Sequence, residues 1–252
     1  MAPSHEKLKV LLIQARNTQD MEVQEQNCFL ERCRLEDHQL DCLNLGRQDC
    51  PTDHGAVLDG YDAFFIGGAG EYSAMDDTSW MPFLLALVQD AYDRKIPTFG
   101  SCWGHQIIAR ALGGKVEHDP ERAELGCHHI ELTEDGQNDP LLGGFPHSFM
   151  ANMGHHDRVT RLPDNAVELA FNRTQPYEAF RLKDSPMYGT QFHSELNAHR
   201  ERERLIRYRS YYLVQLHSEE VFQEIFHGLR ETTEVDHLMF DFLTKYAVNP
   251  ES

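Results

Sequence analysis

The chain has 252 residues, with 40% hydrophobic and 25% charged residues and a formal net charge of −18. That composition fits a soluble globular protein with a sizeable core, and the strong acidity argues against nucleic acid or an anionic membrane surface as a partner. No apolar run approaches the roughly 20 residues needed to cross a bilayer, and the start MAPSHEKLKV lacks the pattern of a secretion signal, so the expected location is the cytoplasm.

Residues 8–13 (LKVLLI) form a short apolar run that reads as a buried strand opening a domain. A polar helix is expected over 18–36, a second strand over 39–45 and a third over 62–66, which runs into Gly67 and Gly68. A helix over 79–94, a strand over 96–101 and a helix over 103–112, stopped by Gly113 and Gly114, complete the first half. Alternating strands and helices predict an α/β fold with a mainly parallel central sheet flanked by helices.

The second half differs. Short strands are expected at 127–132, 148–152, 167–171, 177–182 and 187–192, separated by Pro, Gly, Asn and Asp, and these could extend the sheet antiparallel or form a small subsidiary layer. From about Glu195 the pattern is helical again. Its expected buried positions are Leu205, Tyr208, Tyr212, Val221, Ile225, Phe240 and Phe242. The expected organisation is a catalytic domain over 1–196 and a C-terminal helical extension over 197–252, packed on the same domain. Arg200 to Arg209, with five arginines and two glutamates, could instead present a partner or homodimer surface.

The six cysteines, at 28, 33, 42, 50, 102 and 127, form no CxxC pair and no zinc spacing, so free thiols and no metal are expected. Only Cys102 has unusual surroundings. It sits in a Gly-x-Cys-x-Gly frame, Gly100 to Gly104, where an expected strand meets an expected helix. That is the pattern of a nucleophile elbow, in which small neighbours let the chain turn sharply and the helix N-terminus favours a thiolate. By itself the frame also fits a tight turn with a filler cysteine.

A second element, MYGTQFHSE at 187–195, ends an apolar strand with His193 and Glu195. Two residues apart in extended chain, they project from one side. A cysteine nucleophile needs a base to move its proton and a carboxylate to orient that base. A His-x-Glu pair alone also fits an ordinary strand end.

The two elements together, GSCWGHQ at 100–106 and GTQFHSE at 189–195, resemble the class I glutamine amidotransferases, with Ser194 where that family usually has proline. The resemblance runs over roughly residues 8 to 196 and implies a flavodoxin-like fold and a Cys102–His193–Glu195 triad that needs no cofactor. FIGGAGEYS at 65–73 sits where the family has its oxyanion loop, with Ala69 in place of proline. The backbone N–H groups of Gly68 and Trp103 are the implied oxyanion donors. AELGCHHIELT at 123–133 is similar to the family's Glu-x-Gly segment. MGHHDRVTRLPDNA at 153–166 resembles the Ser-His-Gly-Asp-x-Val segment of GMP synthetase glutaminase domains. Gln106, His155 and Asp157 are thereby implied as contacts for the amino-acid end of a substrate, and Trp103 is expected to line the pocket.

The implied activity is hydrolysis of a γ-glutamyl amide, releasing glutamate and ammonia or an amine. The sequence has neither a P-loop nor a Ser-Gly-Gly-x-Asp-Ser motif, so ATP chemistry would lie elsewhere. Three readings stay open at this level: an amidotransferase subunit that passes ammonia to a synthetase partner, a γ-glutamyl peptidase acting on glutathione-like compounds, and an idle scaffold of the same fold.

Overall fold

A computed structural model of the chain describes residues 4–249. The first half runs β1 (Val10–Ala15), α1 (Gln19–Cys33), β2 (Leu40–Asn44), a short α2 (His54–Val57), β3 (Ala63–Ala69), α3 (Met81–Asp93), β4 (Thr98–Ser101) and α4 (Trp103–Ala111). The second half continues with β5 (Lys115–His118), β6 (Glu124–Leu132), a short α5 (Glu134–Gln137), β7 (Ser148–His155), β8 (Asp157–Arg161), β9 (Ala166–Phe171), β10 (Ala179–Leu182) and β11 (Met187–Thr190). Helices α6 (Ala198–Arg207), α7 (Arg209–Leu216), α8 (Glu219–Gly228) and α9 (Leu238–Leu243) close the chain.

Nine strands form one sheet in the order β2-β1-β3-β4-β11-β10-β9-β6-β7, and β5 pairs with β8 in a second, two-stranded sheet. The β2 to β11 part is parallel, and the strands from β10 to β7 are antiparallel to their neighbours. The five strands expected in the second half all join the main sheet, β11 parallel to β4 and β10, β9, β6 and β7 antiparallel to their neighbours, and a separate ribbon uses two strands, β5 and β8, that the sequence pattern did not signal.

Strand β1 explains the layering. All six of its residues are buried, and its alternate side chains enter different cores. Val10 and Leu12 join Phe29 of α1, Phe65, Phe99 and Phe242 of α9 on one face. Leu11 and Ile13 join Leu84 and Val88 of α3 and Ile107 and Ile108 of α4 on the other. A strand covered on both faces needs no polar alternation, which is why Val10 to Ile13 are apolar without a break. Each buried Leu or Phe contributes on the order of 2 kcal/mol.

The C-terminal helices are less uniform than a continuous helical extension. Leu205, Phe222 and Leu229 form a third, small core between α6 and α8. Of the positions expected to be buried, Leu205, Tyr208 and Phe242 are, whereas Val221 is exposed because it lies on the outer side of α8. The arginine run does not form an open positive surface. Arg200 pairs with Glu31 and Glu203, Arg204 with Glu195 and Glu25, Arg207 with Asp20 and Arg209 with Glu219, while Arg202 donates to the carbonyls of Phe226 and Leu229. The chain's own acids and carbonyls absorb that charge. Residues 250–252 of the expected extension, like residues 1–3, lie outside the described residues. Among the described residues no helix is long and apolar enough to cross a membrane.

The candidate active site

Strands β4 and β11 are parallel neighbours in the middle of the sheet, with Gly100 beside Gly189 and Ser101 beside Thr190. The segments after these strands therefore emerge at the same edge: Cys102 after β4, and Gln191 to Glu195 after β11. In open α/β sheets this carboxyl edge is where ligands bind. The sequence places its two chemistry-bearing motifs some ninety residues apart, and strand pairing brings them together.

Cys102 stands between β4 and α4 with φ +50° and ψ −99°, a conformation that costs free energy in any residue with a side chain. The glycines around it make the turn feasible. A Cβ on Gly100 would lie 2.4 Å from the carbonyl carbon of Gly104, and one on Gly104 would lie 2.2 Å from the carbonyl oxygen of Ile66. Only with both side chains absent can α4 start so close to β3 and β4. The sulfur is then held at the N-terminus of α4, where backbone N–H groups favour negative charge.

His193 is buried, and its Nδ1 is 2.9 Å from Glu195 Oε1. Because the carboxylate can only accept, Nδ1 carries the proton and Nε2 is left to face the sulfur of Cys102. Burial alone would lower the basicity of His193, but the negative charges of Glu195 and Cys102 and their hydrogen bonds raise it well above the ordinary imidazole value. Glu195 is its complement. Burial would raise it, yet His193, Arg204 and the Ser101 hydroxyl together hold it well below the usual carboxylate range.

Glu195 is fixed from two further sides. Ser101 Oγ donates to its Oε2 at 2.5 Å, and Arg204 Nη1 donates to its Oε1 at 2.8 Å. Arg204 comes from α6, and its Nη2 lies 3.6 Å from Glu25 Oε1. Glu25 on α1 is in turn gripped by Arg16, at 2.5 Å and 3.1 Å, and by Gln14. Arg16, Glu25, Glu195 and Arg204 are all buried and form a neutral quartet of charges behind His193. Ser194, at the position where the family usually has proline, is buried and its hydroxyl bonds to Thr190 Oγ1 at 2.9 Å.

A cleft of about 280 Å³ opens above Cys102, with Gly70, Ser73, Trp103, Gln106, Asp157 and Tyr211 among its walls. Of the two expected oxyanion donors, Trp103 is the first residue of α4, so its N–H has no intrahelical acceptor. The N–H of Gly68, the other expected donor, donates to Glu25 Oε1 at 3.0 Å. Gly67 permits this, since a Cβ there would lie 2.8 Å from the Glu25 carboxyl carbon. Trp103 does line the cleft, packed edge-on against Trp80 with centroids 6.1 Å apart.

Gln106, His155 and Asp157 also border the cleft, but their polar atoms are largely engaged within the chain. His155 Nδ1 meets the carbonyl of Asp157 at 3.0 Å and its Nε2 meets Glu124 Oε2 at 3.2 Å. Asp157 Oδ1 bonds to His118 and Oδ2 accepts from Ser73 Oγ at 2.5 Å. His155 thus builds the wall, whereas Asp157 presents a carboxylate whose partners a ligand could exchange.

Behind His155, ligand atoms of Glu124, His155 and Glu178 lie within 4.8 Å of one another, a spacing that could hold a metal ion. The amide nitrogen of Gln175 fills that space, 2.8 Å from Glu124 Oε2, 3.3 Å from His155 Nε2 and 2.8 Å from Glu178 Oε1. Burial and the neighbouring Glu124 push Glu178 well above the ordinary carboxyl range, so it is the member of the pair that keeps a proton.

The site includes residues that the sequence did not flag. Gln191 donates to the Cys102 sulfur at 3.6 Å, and Glu25, Arg16 and Arg204 brace Glu195 and the Gly68 N–H at the end of β3. Tyr211 and Tyr212 of α7 line the cleft from the C-terminal part of the chain. Gln191 lies inside the Gly-Thr-Gln-Phe-His run and could have been found there. Glu25 and Arg204 sit in polar helices whose patterns look solvent-facing.

The family described as "Glutamine amidotransferase class-I" matches residues 35–211. The chain is 31% identical over 176 residues to Gamma-glutamyl peptidase 3 of Arabidopsis thaliana, covering 68% of each protein. It is 39% identical over 115 residues to a glutamine-hydrolyzing GMP synthase subunit of Pyrococcus abyssi, covering 45% of this chain and 58% of that protein. The match to these GMP synthase relatives thus spans only part of their length. The crystal structure of a glutamine amidotransferase from Thermotoga maritima superposes with a TM-score of 0.76 at 21% identity, over 99% of this chain and 100% of that one. The chain therefore belongs to the class I glutamine amidotransferase family.

Proposed function

We propose that the protein hydrolyses a γ-glutamyl amide through a glutamyl thioester, with Cys102 as nucleophile, His193 as acid and base, and Glu195 as the group that orients His193. One observation carries the reading: the sulfur on its strained turn and the Glu195-bound imidazole emerge from adjacent strands at one edge of the sheet.

In the first half-reaction the Cys102 thiolate attacks the γ-carbonyl carbon, forming a C–S bond and placing negative charge on the carbonyl oxygen. The Trp103 N–H is the donor available to that oxygen. Gly68 joins it only by releasing Glu25. His193 then gives its proton to the departing nitrogen, which leaves as ammonia or an amine. In the second half-reaction His193 takes a proton from water, the resulting hydroxide attacks the thioester, and the sulfur leaves as thiolate with glutamate as product. Asp157 and the free side of Gln106 would meet the amino-acid end of the substrate, and His155 would hold them in place. None of these steps calls on a metal or cofactor.

The preferred substrate is glutamine, with the ammonia passed to a synthetase partner, as the glutamine-hydrolyzing GMP synthase relatives suggest. A γ-glutamyl peptide is the second reading, supported by the longer match to the Arabidopsis peptidase. We read residues 1–196 as the catalytic unit and 197–252 as an extension that completes it through Arg204, Tyr211 and Tyr212. Assaying purified protein for ammonia from glutamine and for glutamate from glutathione tests the proposal. Turnover of either, lost in Cys102→Ser, supports hydrolysis and selects the substrate. No turnover of either, with or without a synthetase partner, would leave the idle scaffold.

A further inference from the structure

Gln191 is 1% exposed and makes two side-chain contacts whose direction is fixed by the chain itself. Gln106 Nε2 lies 2.6 Å from the backbone carbonyl of Asp157 and 3.0 Å from Gln191 Oε1. A backbone carbonyl can only accept, so Gln106 must turn its nitrogen to Asp157, and the second hydrogen on that nitrogen goes to Gln191. Gln191 must then offer its oxygen to Gln106 and its nitrogen to Cys102, 3.6 Å away. The amide orientation follows from the network, with no alternative that keeps both Gln106 bonds.

We propose that Gln191 is a further catalytic residue: its amide N–H donates to the Cys102 sulfur, and Gln106, anchored on the Asp157 carbonyl, holds that donor in place. The proposal rests on Cys102 being the nucleophile. A hydrogen bond given to sulfur stabilises the thiolate over the thiol, and it persists when the sulfur becomes the leaving group of the thioester. It comes from the side of Cys102 reached by Gln106, whereas His193 handles the proton. Gln106 thereby acquires a positioning role beside its place in the cleft wall.

Other groups act on the sulfur and must stay fixed in any test. His193 follows β11 and bonds to it, Glu178 precedes β10 and senses its charge, and Tyr212 reaches it from α7. The Gly154 carbonyl of β7 lies 3.9 Å away and can accept only from the thiol form. Gln191 is the neutral donor in this set.

The test is the rate of Cys102 alkylation by iodoacetamide as a function of pH, read by mass spectrometry of the Cys102 peptide in the full-length protein. In Gln191→Met, which keeps the length of the side chain but not the donor, the midpoint should rise by about one pH unit and turnover should fall about tenfold, the loss of one hydrogen bond to sulfur. Gln106→Met should move the midpoint the same way by less, because the Gln191 amide is then free to turn. Gln191→Glu, nearly isosteric, should raise it further by placing an acceptor against the sulfur. A packing role alone would leave the midpoint unchanged in Gln191→Met and Gln106→Met, and that result overturns the proposal. Should Gln191→Met unfold, as its melting curve would reveal, Gln106→Met decides on the same criterion. Alkylation reports on the thiol without turnover. An inactive wild type would count against the hydrolase reading, whereas an active wild type with unmoved variant midpoints would count against Gln191 alone.

Discussion

Arg204 of α6 donates to the same oxygen of Glu195 that accepts the His193 Nδ1–H, at 2.8 Å. A helix beyond the two sequence motifs thus helps fix the charge of the His193 partner. Arg204→Met would leave Glu195 and Glu25 buried with one cation fewer, and breaking such a pair typically costs about 3–5 kcal/mol. The expected result is a urea midpoint lowered accordingly and a kcat/KM reduced about tenfold or more, with partial recovery in Arg204→Lys. Unchanged stability in Arg204→Met would remove the charge quartet from the account.

The His193–Glu195 pair predicts a specific stability profile. His193 is raised in the fold, so its contribution is complete below its unfolded value, about pH 6.5, and is lost as pH rises through the higher folded value. Glu195 is lowered, so its contribution is complete above about pH 4.3 and is lost as pH falls through the lower folded value. The stability difference between wild type and His193→Gln, from urea unfolding, should be largest between about pH 4.5 and 6.5 and shrink above that range. A difference that grows with alkaline pH would contradict the assigned charges.

His105 carries the opposite linkage. It is fully buried against Phe180, among the described residues neither ring nitrogen has a side-chain partner, and burial pushes it down to about 3. A neutral histidine that becomes charged on unfolding makes stability fall as pH drops below about 6.5, by about 2 kcal/mol at pH 5. His105→Leu should flatten that acid slope in thermal or urea titrations. A variant with the wild-type slope would mean that His105 is not the group responsible.

The elbow glycines are predicted to be intolerant for a steric reason. Gly104→Ala places a methyl group 2.2 Å from the Ile66 carbonyl oxygen, and backbone cannot move aside cheaply. A loss of about 3 kcal/mol or more is expected, or failure to fold. Gly144→Ala, where nothing lies within 4 Å, should stay within about 0.5 kcal/mol of wild type and serves as the control.

How much the sequence could announce depends on range. The parallel half was legible because strands such as Val10–Ala15 are buried on both faces and leave an apolar run, here Val10 to Ile13. The candidates Cys102, His193 and Glu195 stand out because each sits in a short motif with local geometric demands. Strands β5 and β8 were not legible, since KVEH and DRVTR are too short and too polar to stand out before they pair. Nor was the bond from Gly68 to Glu25, whose partners are 43 residues apart and which occupies a backbone N–H. Arg204 looked like one charge among several in a solvated helix, and only the packing of α6 on α1 reveals it as buried.

The central claim is that Cys102 alone among six thiols is a paired nucleophile. Burial pushes Cys28 and Cys42 up to about 12 and raises Cys33, Cys50 and Cys127 as well, leaving these five as poor nucleophiles. Treatment with one equivalent of a glutamine-mimicking electrophile, followed by peptide mass spectrometry, should place a single adduct on Cys102 and lose it in His193→Gln. Label spread over Cys42, Cys50 and Cys127 with Cys102 unmodified would contradict the account.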